Sequence, residues 1–265
     1  MVSSANNGVR IEDHDGITHL VLDRPEAGNA LDLATSYQLR DAVAELSARD
    51  DLRVLVFRAE GKRFCVGGDL VRFQQAAPDA NLCYTVAVPL HDAIRGIEAL
   101  PVPVIAKVHG SVGGGGVGVV LAADIIVMAE SAVYRMGYTG SGLSPDTGVS
   151  WELPHRSGMA AAMDMILTNR RVSAVEAVSR GLASRAVPDA QLDEEIDSIV
   201  ASLLVVPKQT LAETKRLVRT AYGVSLEQHL DDEAHTIGRI GDTRDARETI
   251  DAFLEKRRPV FAYNR

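Results

Sequence analysis

An α/β fold that gives way to helices alone toward the C-terminus is predicted by three features of the sequence. Short apolar runs rich in β-formers alternate with helical periods through the first half. Glycine-rich loops separate several of these runs from the segments that follow. Beyond Gly158 the helical period dominates, and near residue 200 the pattern becomes purely helical. A chain of 265 residues with 46% hydrophobic content can bury one sizeable core. We therefore expect a core over residues 1–200 and a helical region over 201–265, with no second independent unit.

The elements follow in order. Residues 9–12 and 17–22 read as a hairpin turning at Asp15-Gly16. Residues 32–48 form an amphipathic helix with Leu33, Leu39, Val43 and Leu46 on its apolar side and Asp32 placed to cap it. Residues 54–57 make a short buried strand, and 61–69 are loop because glycines and charges interrupt any period. Residues 82–100 read as helix, with Pro89 expected to kink it or mark its start. A strand over 102–108, a loop over 110–116, a short helix over 117–122 and a strand over 125–128 come next. Helical periods then occupy 159–167, 174–180, 192–204, 207–221, 226–238 and 242–256. No internal repeat or low-complexity linker interrupts them.

Charge and cysteine usage exclude several function classes. The net charge is −8, and the Lys and Arg residues are scattered among acids rather than clustered for phosphates, so no nucleic-acid partner is expected. Cys65 and Cys83 follow no metal-ligand or disulfide spacing, and residues 1–8 hold no apolar signal core. A cytoplasmic location is the resulting expectation. Apolar stretches such as 117–120 are too short to cross a bilayer, so no membrane partner is expected. His229 and His235 have no third ligand at a recognisable spacing, and no metal or cofactor is expected. His109 and His155 stand near the glycine-rich segments, although a buried, hydrogen-bonded histidine is the commoner case. Ser144 and Ser150 lack a Gly-x-Ser-x-Gly elbow, Cys65 lacks a histidine to activate it, and Arg135 and Glu152 read as surface or interface charges.

Gly113, Gly115 and Gly118 satisfy the dinucleotide pattern G-x-G-x-x-G between a predicted strand and a predicted helix. That pattern expects an acid about 20 residues further on, where Tyr138 stands, and no Gly-Lys-Ser/Thr follows. Two readings of the glycines remain. They let a helix pack closely on a strand, or they bare backbone amides for an anionic group. Arg63-Phe64-Cys65-Val66-Gly67-Gly68-Asp69-Leu70 also joins a strand to a helix and is a second candidate. Downstream, Asp146 in Gly142-Leu143-Ser144-Pro145-Asp146 is a lone carboxylate. One acid beside bare amides suits enolate chemistry, in which amides hold a developing oxyanion while one base moves a proton between carbons. Its plainer reading is an N-cap after Pro145.

Taken together, these segments resemble the enoyl-CoA hydratase/isomerase family, the crotonase superfamily, along nearly the whole chain. The resemblance rests on Leu22-Asp23-Arg24-Pro25-Glu26 with Asn29-Ala30-Leu31, on Phe64 to Leu70, and on Pro103 to Gly110 followed by the glycines and Ala123-Asp124-Ile125. The C-terminal Ala252-Phe253-Leu254-Glu255-Lys256-Arg257 is similar too. It implies the crotonase (ClpP-like) spiral of ββα units with a C-terminal helical trimerisation region, a homotrimer or dimer of trimers, and an acyl-CoA thioester as substrate rather than a bound cofactor. By the same resemblance, the amides of Val66 and Gly115 would hold the thioester oxygen. Arg24 and the loop Val66, Gly67, Gly68, Asp69 and Leu70 would contact CoA. Gly114 and Tyr138 are further substrate-binding candidates, Tyr138 as a pocket wall or a hydrogen-bond donor.

The family's hydratases carry two glutamates at positions that align with Gly118 and Tyr138, so both hydratase acids are missing. The segment around Asp146 resembles instead that of the family's isomerases, epoxyphenylacetyl-CoA and Δ3,Δ2-enoyl-CoA isomerases among them, in which the acid after proline is the sole base. An isomerase is therefore expected, in a setting such as fatty-acid or phenylacetate catabolism. A hydratase (lyase) of broad or atypical specificity, another crotonase reaction, and a non-catalytic acyl-CoA-binding protein are the alternatives.

Overall fold

The structure, a computed structural model, describes residues 8–14, 17–77 and 80–261. Strand β1 (Val9–His14) runs antiparallel to β2 (Ile17–Leu22), with Val9 opposite Leu22. The expected Asp15-Gly16 turn lies outside the described residues. Helix α1 (Leu33–Ser47) buries Leu39, Val43 and Leu46, and Asp32 caps it by accepting the Thr35 N–H at 2.8 Å. β3 (Leu55–Ala59) joins β2 as a parallel neighbour. Parallel pairing demands a long crossover, which α2 (Leu70–Gln75) and α3 (Leu82–Ala99) supply before β4 (Val104–Val108). Pro89 lies within α3, whose start is Leu82. The helix gives up only the bond that a residue-89 N–H would have made.

From β4 the chain climbs by repeating one motif: a strand in a large sheet, a strand in a small sheet, then helix. β5 (Ser111–Gly113) and α4 (Gly115–Leu121) complete the first such turn. β6 (Ile125–Ala129), β7 (Val133–Arg135), α5 (Val149–Ser157) and α6 (Met159–Thr168) make the next. β8 (Arg171–Ser173), α7 (Ala174–Ser179), β9 (Arg185–Val187) and α8 (Leu192–Leu204) close the core. The large sheet has the order β1-β2-β3-β4-β6-β9 and the small one β5-β7-β8. This arrangement matches the spiral of ββα units that the sequence resemblance implies. Its central strands read as nearly continuous apolar runs because both faces are covered: Leu55, Val56, Val104, Ile105, Val127 and Met128 are all buried.

β5, β7, β8 and β9 are not among the expected elements, because each is three residues long and too short to show a period. Nor is α5, which carries Pro154 inside. Residue 200, the expected edge of the core, falls within α8, where Ile196, Ile199 and Val200 are buried. The purely helical region therefore starts after α8, with α9 (Lys208–Thr220), α10 (Leu226–Gly241) and α11 (Arg244–Leu254).

Helix α9 buries no residue fully, so polar bonds fix it to the core. Asp124 accepts Lys215 Nζ at 2.8 Å and Arg219 Nη2 at 2.7 Å, and takes the Val104 N–H at 2.9 Å. Lys215 also donates to the carbonyls of Ile97 and Val102. Burial pushes the Lys215 ammonium below its ordinary range, and Asp124 opposes that shift. Removing one partner of a buried ion pair strands the other charge, at about 3 kcal/mol. Asp124→Asn should accordingly lower the melting temperature by roughly 6–12 °C, measured by calorimetry. An unchanged melting temperature would mean that α9 is held by something else.

Candidate functional site

Two loops meet where the small sheet begins. The Phe64–Leu70 segment is stitched to β5: Cys65 N–H donates to Ser111 O at 3.3 Å, and Gly113 N–H donates to Cys65 O at 2.8 Å. Their approach is close enough to require glycine. At Gly67, with φ +92°, a Cβ would stand 2.7 Å from Gly113 O. Gly114 turns the chain into α4 at φ 47° and ψ −128°, and its own N–H goes to Arg135 O at 3.1 Å.

The backbone bonds decide which amides remain available. Val66, expected to offer an oxyanion donor, does not, because its N–H is committed to Gly28 O at 3.1 Å. Leu31 N–H donates to Gly67 O and Asp69 N–H to Leu31 O, so Gly67 and Asp69 bracket Leu31 in a parallel bridge centred on Gly68. Successive amides of an extended chain point to opposite sides. Gly68 N–H therefore faces away from Leu31, and it has no partner among the described residues. Gly115 N–H, in the first turn of α4, likewise has no intrahelical acceptor and no other partner there. Gly68 and Gly115, rather than Val66 and Gly115, are the amides left without a partner among the described residues.

Asp146 stands beside Gly115. A methyl group on Gly115 would lie 3.6 Å from its carboxylate oxygen Oδ1. The Asp146 side chain does not cap α5: the capping position is Gly148, and Val149 N–H goes to the Asp146 backbone carbonyl. The carboxylate accepts the Tyr138 hydroxyl at 2.7 Å instead. Burial, and next the Asp146 charge beside it, raise the Tyr138 phenol well above its ordinary value. Tyr138 therefore stays protonated and donates. Its oxygen also lies 3.0 Å from Thr147 Oγ1, which donates to the Asp146 carbonyl at 2.8 Å.

These groups border a cavity of about 360 Å³, largely apolar, walled by Leu31, Phe73, Tyr84, Val86, Leu90 and Leu143. Among the expected site residues, Val66, Gly68, Leu70, Gly114, Gly115, Tyr138 and Asp146 line it. Arg24, Gly67 and Asp69 do not. Arg24 pairs with Asp32 at 2.9 Å and with Asp69 at 3.6 Å, and Asp69 caps α2 through the Arg72 N–H. Arg24 thus ties together the first turns of α1 and α2. Arg135, read as a surface charge, lines the cavity, whereas His109 and His155 are bonded to Gly61 O and Trp151 O outside it. The sequence signal for Gly68 was the second glycine of the pair after Val66; Thr147 and His91, which also shape the site, carried none.

Cys65 is buried behind the glycines, and burial pushes its thiol up to about 12. Cys83 is exposed and borders the cavity. An aromatic disulfide reagent at pH 8 should titrate one thiol in the native protein and two after denaturation, since only an accessible thiolate reacts. Acyl-CoA in the cavity should slow the native reaction. Two fast native thiols would contradict this packing.

The sequence pattern of the enoyl-CoA hydratase/isomerase family matches residues 12–264. A Rhodobacter capsulatus protein named "probable enoyl-CoA hydratase" is 36% identical over 96% of this chain and 97% of its own. The 1,2-epoxyphenylacetyl-CoA isomerase of Escherichia coli is 32% identical over 93% and 95%. The crystal structure of an enoyl-CoA hydratase from Polaromonas sp. JS666 superposes with a TM-score of 0.90 at 31% identity, covering 95% of this chain and 98% of that one.

Proposed function

Because this chain belongs to the enoyl-CoA hydratase/isomerase family, we propose that it is an acyl-CoA isomerase working through one carboxylate. The observation that carries the proposal is Asp146, the only carboxylate among the described residues lining the cavity, set beside Gly115. In the proposed reaction a 3-enoyl-CoA places its thioester oxygen between the Gly68 and Gly115 amides. Asp146 takes a proton from C2, and the electron pair spreads over the thioester oxygen, C2 and C4. The two amides stabilise that dienolate, a contribution on the order of 3 kcal/mol per donor in comparable sites. Asp146 returns the proton at C4, and the double bond ends between C2 and C3. No atom is gained or lost.

Syn-addition of water calls for one group to activate water and another to deliver a proton. The two positions where the family's hydratases carry glutamates hold Gly118 and Tyr138, and Tyr138 spends its proton on Asp146. The apolar wall suits a hydrocarbon acyl group, aliphatic or aromatic. Arg24 acts on the CoA side through its ion pair with Asp69. Self-association as a trimer or dimer of trimers belongs to the same proposal, supported by exposed Met159, Met163 and Leu167 on α6 and Ile250, Phe253 and Leu254 on α11. A cytoplasmic location is proposed with it, in keeping with two free cysteines. No described helix is long and apolar enough to cross a membrane.

The test is to incubate the purified protein with 3-hexenoyl-CoA and, separately, with crotonyl-CoA, following double-bond position and water addition by NMR and mass. Conversion of the first to 2-hexenoyl-CoA without hydration of the second is expected. Rapid hydration of crotonyl-CoA would overturn the assignment. Tight thioester binding with no turnover of either would favour a binding protein.

A further inference from the structure

We propose that His91 is a positioning residue that holds Asp146 in its working place through the backbone of Thr147; the proposal rests on the one-carboxylate isomerase reading above. Thr147 follows the base directly and adopts φ +51°, a left-handed conformation unfavourable for a β-branched residue. It is 1% exposed, so water cannot serve its backbone. Its N–H lies 3.2 Å from His91 Nε2. An amide can only donate, so Nε2 must carry a lone pair, and His91 is neutral with its proton on Nδ1.

His91 is well placed to act as a fixed post. It sits on α3, which is anchored by buried Val86, Leu90, Ala93 and Ile97, and the preceding turns of the same helix supply Cys83, Tyr84, Ala87 and Leu90 to the cavity wall. His91 itself is not part of the lining. One rigid helix therefore sets the acyl wall and, through a single hydrogen bond, the peptide that carries the base. Without that acceptor a buried N–H is left unpaired in a residue already strained. The strain is relieved when Thr147 returns to negative φ. That rotation swings the 146–147 peptide and draws the carboxylate away from Gly115.

The test compares His91→Leu, which removes the acceptor, with His91→Gln, whose side-chain oxygen reaches about as far as Nε2. His91→Leu should lose on the order of 100-fold in kcat, the cost of misplacing a reacting group by about an ångström, with KM for 3-hexenoyl-CoA near the wild-type value. His91→Gln should stay within a few-fold of wild type. Amide hydrogen exchange at Thr147 should accelerate in the leucine variant and remain slow in the glutamine variant. Wild-type kcat in His91→Leu, or equal loss of kcat and KM in both variants, would overturn the proposal. If the wild-type protein moves no double bond, the isomerase reading fails, and the exchange pattern alone decides the role of His91: unchanged protection in His91→Leu would sink it.

Discussion

Asp146→Asn should lower turnover of 3-hexenoyl-CoA about 10³-fold, inside the range that a positioned general base contributes. Affinity for the thioester and melting temperature should stay near wild type. The substitution separates chemistry from structure because each structural bond at residue 146 survives it. The Asp146 carbonyl still accepts Val149 N–H and the Thr147 hydroxyl. An amide oxygen still accepts the Tyr138 hydroxyl that Asp146 Oδ1 now takes. Only the ability to take a proton is lost. Stopped-flow absorbance on 3-hexenoyl-CoA gives kcat, and calorimetric titration with a saturated acyl-CoA gives affinity. Turnover within tenfold of wild type would remove Asp146 from the chemistry. Loss of affinity and melting temperature together with activity would make it a structural residue.

How far such a site was legible in the sequence differs from residue to residue. Asp146 stood out because the segment 137–158 offers few other acids, and the two glycine loops stood out because glycine has few other reasons to recur so densely. What could not be read was the direction of each amide. Val66 and Gly68 flank Gly67, whose φ of +92° breaks the extended run between them, and which N–H is left free depends on the pairing with Gly28 and Leu31, contacts made across the fold. Thr147 and His91 lie 56 positions apart and meet only because α3 crosses behind the loop. The long elements are legible: α1, α3 and α8 end within two residues of the expected bounds, since amphipathic periods of three or more turns are strong local signals. The three-residue strands of the small sheet owe their existence to neighbours such as Val112 opposite Tyr134, and local propensity holds no trace of them.

Gly118→Glu should fail to create a hydratase, and Gly118→Ala alone should cost on the order of 100-fold in isomerase turnover. Alignment alone treats this glycine as a vanished acid, a vacancy that a glutamate would refill. The packing says otherwise. A Cβ at residue 118 would stand 2.1 Å from Thr147 O, 2.3 Å from Thr147 Oγ1 and 2.7 Å from Thr147 Cβ. The nearest of these atoms is backbone, so no rotamer change relieves the contact, and any side chain there pushes the loop that carries Asp146. Overpacking of this kind costs about 1–3 kcal/mol, and the base shifts with the loop. Gly238→Ala on α10, where a Cβ meets nothing within 4 Å, is the matched control and should leave turnover unchanged and the melting temperature no lower, since alanine suits a helix interior better than glycine. Adding Tyr138→Glu to Gly118→Glu should not produce hydration either, because it removes the hydroxyl that Asp146 accepts while the clash remains. Hydration of crotonyl-CoA by Gly118→Glu at wild-type stability would show that the space is open and the acid simply absent. Failure of the alanine variant with a normal Gly238→Ala would show that the loop carrying Asp146 has grown into the place of the missing glutamate, so that a return to two-acid chemistry requires rebuilding residues 146–148 first.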